Sequence, residues 1–432
     1  MLSDRLAAAL ARRNIHYGWV VAATTFLTML VTAGAVGAPG AFILPLQREF
    51  GWQTADISSA LAVRLLLFGL MGPFAAALIN RYGLRRIATI ALSLIAAGLL
   101  LSLGMTQLWQ LIVLWGFVLG FGTGMTALVL GATVATRWFT ARRGLVVGLL
   151  TASSATGQLV FLPLLASLNE RVGWRVSILL VTGAMALAIV AITLLMRDRP
   201  SDVGLPPYGE SAVVPPAPAS AVALSPIAVL REAARTRVFW ILFATFFICG
   251  ASTNGLIQTH FIPLCADFGL PAVGAASVLA MMGIFDFIGT VGSGWLSDRY
   301  DNRYLLLWYY GLRGLSLMVL PFTDFTFYGL SLFAVFYGLD WIATVPPTVK
   351  ITAASFGRER ANLVFGWVFA GHQLGAAAAA FGAGLSRTVL ATYLPAFFVA
   401  GALCLIAALL TLTIARPGSA TSVAPNLAPA KA

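Results

Sequence analysis

Apolar residues in this chain come in blocks of about twenty, long enough for a helix to cross a hydrocarbon layer of roughly 30 Å. The blocks are continuous rather than alternating, and only helices or closed barrels satisfy their own backbone in lipid. Of the 432 residues, 59% are apolar and only 10% are charged, whereas ordinary globular chains carry roughly a quarter charged residues. The sequence therefore predicts an all-α membrane protein.

Twelve of these blocks are predicted to be transmembrane helices. They cover residues 17–40, 52–79, 85–104, 108–136, 144–168, 174–196, 238–263, 271–296, 304–321, 325–349, 361–385 and 389–414. The first block is too long for the apolar core of a signal peptide, so we expect it to remain as the first span.

The basic residues set the orientation of these spans. A net charge of +12 is compatible with nucleic-acid binding, but the cations lie in short loops on alternate sides, as in cytoplasmic flanks of membrane helices. With both termini inside, the outer loops hold only Arg48, Arg171, Arg175 and Arg387 of the 27 lysines and arginines. The bias predicts a multi-pass protein of the cell inner (plasma) membrane with cytoplasmic termini and no nucleic-acid partner.

The chain divides into two halves around a linker. Residues between Arg197 and Arg237 are rich in proline, alanine and serine, a composition typical of flexible linkers. The predicted parts are a cytoplasmic amino terminus (1–16), a six-helix bundle (17–196), a cytoplasmic linker (197–237), a second six-helix bundle (238–416) and a cytoplasmic tail (417–432).

The two halves repeat at a constant offset of 218 residues. FILPLQREFG (Phe42–Gly51) aligns with HFIPLCADFG (His260–Gly269), and the same offset pairs Arg81 with Arg299. Parallel six-helix repeats place a binding site between the halves, near the bilayer midplane.

The loop LINRYGLRR resembles the G-x-L-x-D-R-x-G-R-R signature of the major facilitator superfamily, and GWLSDRYDNR resembles it again in the second half. The resemblance implies a fold of twelve transmembrane helices in two pseudo-symmetric six-helix bundles, working by alternating access without a cofactor. It also implies that these loops lock the halves in one conformation. The gating residues that it implies are Arg81, Arg85, Asp298, Arg299 and Arg303.

Three further stretches resemble the monocarboxylate-porter and oxalate–formate branch of that superfamily: HYGW at the first span, RWFTARRGLVVGLLTASSATG and RDRPSDVGLPPYGE. In those porters an acid and an arginine one turn apart on the eighth span carry proton and substrate. Asp286 matches the acid, but Thr290 occupies the arginine's place. A cation must therefore come from elsewhere, and Arg313 on the ninth span is expected to pair with Asp286, with a purely structural role as the alternative.

An ionisable side chain at the bilayer centre costs roughly 2.5–3.5 kcal/mol on insertion scales, so each one is a functional candidate. Arg64, midway along the second span, offers a two-pronged fit to a carboxylate; the alternative is a structural contact with a buried acid or a helix end. Asp340 precedes Pro346 and Pro347. This proline pair predicts either a helix that bends during gating or a fixed kink.

Polar side chains on otherwise apolar helices are expected to line the cavity rather than face lipid. Asn254 and Gln258 are four residues apart and share a helical face, and His260 follows them. Histidines at these positions can also be satisfied packing residues. The predicted substrate-binding set is Arg64, Gln158, Asn254, Gln258, His260, His372 and Gln373, and the predicted proton-coupling set is Asp286, Asp340 and Arg313.

Two transport functions fit these residues. The first is proton-coupled uptake of a small organic anion, with protons, the lipid bilayer and that anion as partners of a monomer. The second is efflux of lipophilic or cationic compounds, which Arg64 disfavours. The chain has no HExxH, no G-x-S-x-G and no phosphate loop with its lysine, so neither an enzyme nor a metal site is expected. Its three cysteines are expected to be packing residues.

Overall fold

The structure is a computed structural model that describes residues 2–37, 39–126, 128–211, 213 and 225–415. The described residues are 84% helical and contain no strands. Lipid offers no hydrogen-bonding partner to a backbone, so each apolar block closes its N–H and C=O groups within a helix. The fold class predicted from the sequence is confirmed.

The first half contains six long helices. They are α1 (described over Gly18–Gly37 and Pro39–Phe50), α2 (Thr54–Tyr82), α3 (Leu84–Ser102), α4 (Leu108–Trp138), α5 (Arg143–Arg171) and α6 (Trp174–Leu195).

The second half also contains six. They are α7 (Arg237–Asp267), α8 (Ala272–Ser297), α9 (Asn302–Val319), α10, in two segments (Phe327–Asp340 and Val345–Phe356), α11 (Arg358–Leu390) and α12 (Leu394–Thr411).

Eleven helices in the described part of the chain are long and apolar enough to cross a membrane, and α5, with 29 residues, occupies the predicted fifth span. Four predicted carboxyl ends were wrong by four residues or more, and one of them is that of α10, which ends at Phe356 rather than at residue 349. Helices α1 and α7 continue beyond residues 40 and 263, with Pro45 and Pro263 inside them. Helix α11 continues to Leu390, because the turn comes later, at Ala391 with φ +57°.

The loops alternate between two faces of the bundle. We call the face that carries residues 2–17 and 412–415 the terminal face, and the other the opposite face. Most buried apolar side chains form one core from residue 7 to 196 and a second core drawn almost entirely from residues 229–414, and a small third cluster joins Leu65 of α2 to alanines of α11. Each half therefore packs around its own interior.

The halves meet through symmetry-related helix pairs. Helix α1 packs on α7, α2 on α11 and α5 on α8, and an exchange of the two halves converts the last two pairs into each other. At the centre, a Cβ on Gly40 would lie 2.8 Å from the carbonyl oxygen of Gln258. These two residues are 218 positions apart, the offset of the sequence repeat, so equivalent points of the two halves touch.

Three helices depart from regular α geometry. Wide π turns occur at Ile112–Val118 in α4 and Ala251–Gln258 in α7, and α10 is interrupted over residues 341–344. The sequence predicted the irregularity of α10 at its proline pair. The interruption instead precedes the prolines, because Pro346 and Pro347 sit in the first turn of the next segment, where a missing N–H does no harm.

Part of the predicted linker is docked on the terminal face of the first half. His16 Nδ1 accepts the N–H of Gly18 at 3.1 Å, so Nε2 carries the proton and donates to the Pro206 carbonyl at 2.9 Å. The Tyr208 N–H donates to Trp138 O at 2.8 Å. The remainder of the predicted linker includes a short helix, Pro226–Ala233, and residues 212 and 214–224, which lie outside the described residues.

An aromatic cluster holds this segment in place. The rings of Trp19, Phe139 and Tyr208 lie with centroids 5.1–5.9 Å apart, and His16 meets Tyr208 edge-on at 5.5 Å. We call these four residues the clasp. It joins the start of α1, the α4–α5 loop and the segment after α6, and its members come from the three stretches that resemble the monocarboxylate-porter branch.

We expect Tyr208→Ala to destabilise the protein by about 1–3 kcal/mol, because a half-buried aromatic ring loses its packing and its ring pairs. The measurement is the melting temperature of purified protein in detergent. The control is Tyr300→Ala, whose side chain is exposed on the same face of the other half. An equal loss in both variants would contradict a specific role for the clasp.

Candidate functional site

A buried ion pair lies in the second half. The Arg313 Nε on α9 donates to Asp340 Oδ2 on α10 at 2.7 Å. Arg313 is 1% exposed and Asp340 is 6% exposed. The sequence prediction that Arg313 pairs with Asp286 was wrong: its carboxylate partner is the acid at the end of the first α10 segment. Two charges taken out of water are tolerated because each neutralises the other.

The same guanidinium also donates hydrogen bonds to backbone carbonyls at the interruption of α10. Arg313 Nη2 donates to the carbonyl oxygens of Asp340 at 2.6 Å and Trp341 at 3.1 Å, and Nη1 donates to Cys249 Sγ at 2.9 Å. Helix interruptions leave carbonyls without intrahelical donors. In contrast, Asp340 Oδ1 is buried and has no hydrogen-bond partner.

A second carboxylate lies on the other side of the interruption. Asp286 on α8 is 8% exposed, and its Oδ1 accepts the Ile342 N–H at 2.9 Å and the Thr290 hydroxyl at 3.1 Å. The residue that replaces the family's arginine therefore serves as a hydrogen-bond donor to the acid. We call Arg313, Asp340, Asp286, Cys249 and the interruption at 341–344 the break cluster.

Ser293 contributes to this cluster, and sequence reasoning missed it. Its hydroxyl donates to Ala343 O at 2.5 Å. That carbonyl is the one whose usual donor, four residues on, would be Pro347, which has no N–H. Cys249 was predicted as packing alone, yet its sulfur also lies 3.4 Å from the Thr344 hydroxyl. The proline pair was the available signal that polar partners would be needed nearby.

Arg64 lies in the first half and is 4% exposed. Its two terminal nitrogens donate to Ala35 O at 3.1 Å and Val36 O at 3.2 Å. The Ala35 carbonyl would normally bond the N–H four residues later, but that residue is Pro39. Arg64 therefore supplies the donor that Pro39 lacks, which is a structural contact with the α1 backbone. It also borders a cavity of about 10 Å³ that reaches Trp115.

The predicted polar face of α7 is buried within the protein. His260 is fully buried and its Nε2 lies 2.7 Å from Ala380 O on α11, while Nδ1 has no partner. Gln258 is buried and Asn254 half-buried in the π turn of α7. The extra residue per turn shifts these side chains relative to a regular helix, so their four-residue spacing does not fix a shared face.

His372 and Gln373 on α11 lie close to the break cluster and to the first half. The carbonyl of His372 packs against Gly250, the neighbour of Cys249 on α7. The His372 ring stacks on Phe369, with centroids 5.6 Å apart, and its Nδ1 has no partner. Gln373 is also buried, meets Gly69 of α2, and has neither amide atom hydrogen-bonded. The side chain of Gln158 lies outside the described part of the chain.

The predicted gating residues lie on the terminal face. In the second half, Lys350 of α10 hydrogen-bonds and ion-pairs with Asp298, and this contact lowers the pKa of that carboxyl. Arg299 stacks over Trp295 at 4.0 Å, and Arg303 pairs with Asp301 at 2.6 Å. The ion pair of Asp298 therefore links the α8 end to α10.

In the first half the corresponding loop uses a different acid. The backbone N–H of Arg85 donates to Asp198 Oδ1 at 2.8 Å, and Arg81 is exposed beside Tyr82. Asp198 follows α6, so it is distant in sequence from the loop it closes. The structure thus assembles three groups: the break cluster, the α7–α11 polar atoms and the terminal-face pairs. Arg64 remains apart, inside the first half.

Comparisons with known proteins agree with this fold. The family model described as Major Facilitator Superfamily matches residues 24–379. "Monocarboxylate transporter 13" of Rattus norvegicus is 27% identical over 392 residues, covering 90% of this chain and 87% of its own length. "Uncharacterized MFS-type transporter YcxA" of Bacillus subtilis is 23% identical, covering 87% and 89%. The crystal structure of the nucleoside transporter NupG superposes with a TM-score of 0.74 at 10% identity, covering 92% of this chain and 99% of that one.

We expect Arg313→Met alone to lower the yield of folded protein sharply, since removing one partner of a buried ion pair costs about 3–5 kcal/mol. The double variant Arg313→Met with Asp340→Leu is expected to recover much of that loss, because no uncompensated charge remains. Both are measured as the monodisperse fraction and melting temperature after purification. A double variant no better than the single one would contradict the assignment of the pair.

We expect Arg64→Ala to reduce the melting temperature as well as activity, because two carbonyls of α1 lose charge-assisted hydrogen bonds worth roughly 1.5–3 kcal/mol each. Arg48→Ala, an exposed arginine of the same half, is the control. A loss of uptake in Arg64→Ala without any change in melting temperature would instead assign Arg64 to substrate binding.

Proposed function

The chain belongs to the Major Facilitator Superfamily, and we propose that it couples the uptake of a small organic anion, resembling a monocarboxylate, to protons. It is a membrane transporter related to the monocarboxylate transporters at 23–29% identity. Its orientation in the plasma membrane, with cytoplasmic termini, is part of the proposal and is supported by the distribution of basic residues.

The observation that carries the proposal is the buried Arg313–Asp340 pair at the interruption of α10. Asp340 Oδ1 has no partner, so it can receive a proton without displacing a hydrogen bond. Protonation removes the negative charge that balances the guanidinium. The site then holds an uncompensated cation, which an anion would neutralise. When a proton and an anion are both bound, the net charge of the site is again zero. Because neither is favoured there without the other, their movements are coupled.

Polar atoms near the cluster support an anion with further hydrogen-bonding groups. His372 Nδ1 and both amide atoms of Gln373 are buried without partners. Such an atom costs about 1–3 kcal/mol when left unsatisfied, so each one is suited to hydrogen-bond a substrate or water. His260 Nδ1, nearer the Asp267 end of α7, is also buried without a hydrogen-bond partner. Asn254, Gln258, Gln158 and Arg64 complete the proposed substrate set.

Asp286 connects charge to helix geometry. Its Oδ1 holds the Ile342 N–H at the start of the interruption, and a protonated carboxyl is a weaker acceptor than a carboxylate. Protonation of Asp286 is therefore proposed to loosen α10 at residues 341–344. The second α10 segment carries Lys350, which pairs with Asp298 on the terminal face. A bend in α10 would reach the gating loop through this pair, with Arg81, Arg85, Arg299 and Arg303 as its other proposed members.

The decisive experiment uses proteoliposomes and pyruvate as the carboxylate probe. Because Asp340→Asn also removes the charged partner of Arg313, it is compared with wild type at equal amounts of monodisperse reconstituted protein. We expect it to abolish accumulation driven by an imposed proton gradient, by more than about tenfold, while exchange of internal for external pyruvate persists. Asn mimics the protonated acid, so the variant can still bind the anion but cannot release a proton. Asp286→Asn is expected to impair accumulation likewise.

Asp324→Asn, an exposed acid on the opposite face, is the matched control and should behave as wild type. Normal accumulation in both buried-site variants would reject proton coupling there. If wild-type protein moved no carboxylate under any gradient but expelled a lipophilic cation such as ethidium, the efflux alternative would replace this proposal.

A further inference from the structure

A second cavity lies far from the break cluster, on the opposite face. It has a volume of about 270 Å³ and is bordered by both halves. Gln47, Gln53 and Thr54 come from the first half, and Asp267 and Arg387 come from the second. Because its walls belong to both bundles, a molecule held there contacts two bodies that alternating access moves relative to each other.

Tight contacts between α2 and α11 close the floor of this cavity. The Ala55 N–H donates to Thr388 Oγ1 at 3.1 Å. One turn deeper, Ser58 lies directly against Gly384, where no larger residue fits. The cavity is therefore separated from the midplane in this conformation, and it occupies the outer end of the path between the halves.

The chemistry of the cavity centres on one exposed ion pair. Arg387 Nε and Nη2 donate to the two oxygens of Asp267 at 2.8 and 3.0 Å, and their side chains are 34% and 29% exposed. A guanidinium has five N–H donors, so three remain. An ion pair in contact with water is worth little, and another carboxylate can replace Asp267 at small cost.

Donors on the facing wall fit a carboxylate held by Arg387. The amide of Gln47 donates to Thr54 Oγ1 at 2.9 Å, which fixes its orientation at the rim. Gln53 lies at the exposed edge of the cavity. The cavity thus offers a guanidinium on one side, amide and hydroxyl groups on the other, and a volume that exceeds that of a small organic acid.

We propose that this cavity is an outer capture site, in which a small organic carboxylate displaces Asp267 from Arg387 before the halves open. The choice of a carboxylate as ligand rests on the proposed function, whereas the competition between Asp267 and a bound anion for Arg387 does not. Asp267 acts as an internal competitor that keeps the guanidinium neutralised while the site is empty. The two members of the pair therefore have opposite effects on ligand affinity, which a merely structural ion pair would not produce.

The test places a reporter in the cavity. Gln53→Cys is labelled with a trifluoromethyl group, while the three native cysteines are buried, and its ¹⁹F shift is followed as pyruvate is titrated into purified protein. We expect Asp267→Asn to tighten binding by up to about fivefold, the range of an exposed ion pair. Arg387→Gln is expected to weaken it more than about tenfold through loss of the bidentate contact.

Arg175→Gln is the matched control, because Arg175 pairs with Glu49 on the same face but within the first half. It should leave the titration unchanged, and chloride at equal concentration should not reproduce the shift. A label at Thr106→Cys, exposed elsewhere on this face, reports any non-local effect.

Weaker binding in both Asp267→Asn and Arg387→Gln, or no response of the Gln53 reporter to pyruvate, would overturn the capture site. Liposome uptake decides the proposed function separately. If wild-type protein does not transport pyruvate, but Asp267→Asn tightens and Arg387→Gln weakens pyruvate binding, the capture site stands and the transport proposal fails. If wild-type protein transports pyruvate but the two variants do not change binding in opposite directions, the transport proposal stands and the capture site fails.

Discussion

The structure depends on one constraint: a backbone N–H or C=O in lipid must find its partner inside the protein. Unbroken helices meet it automatically. A proline inside a helix or an interruption of the helix leaves carbonyls without donors: Pro39 removes the N–H that Ala35 O would bond in α1, and α10 is interrupted over residues 341–344. At both places an arginine donates to nearby carbonyls, Arg64 to Ala35 and Val36, and Arg313 to Asp340 and Trp341. The two intramembrane arginines are thus parts of the backbone architecture.

The two sites differ in what neutralises the arginine. Arg64 has only carbonyl acceptors among the described residues, whereas Arg313 has the carboxylate of Asp340 as well. A carbonyl cannot take up a proton at physiological pH, but a carboxylate can. The contacts of Arg64 with the α1 backbone therefore keep a fixed charge, whereas the charge balance around Arg313 changes when Asp340 is protonated. This asymmetry is placed on a scaffold that is otherwise symmetric, with Gly40 and Gln258 meeting at equivalent positions of the repeat.

The sequence predicted the twelve spans, the two repeats and the buried ionisable residues, because length, apolarity and offset are properties of the chain alone. It did not predict the partner of Arg313. A position along a helix does not say which neighbouring helix its side chain faces, and Asp286, Arg313 and Asp340 lie on three different helices. The proline pair indicated an irregular α10, but the partners of its freed carbonyls, Ser293 and Arg313, lie on other helices and leave no local signal.

The location of the acid at the break also explains how a local charge could act over a distance. Asp340 ends one α10 segment, and its carboxylate and its backbone carbonyl both accept from the same guanidinium. If the side chain becomes neutral, Arg313 keeps its backbone contacts but loses its counter-charge, and in a medium of low polarity that charge demands a new partner. Either an anion binds next to the Arg313 guanidinium, or α9 and α10 rearrange until water reaches it. Because the joint is already interrupted, such a rearrangement breaks few hydrogen bonds, and a helix that was continuous at this point would resist it.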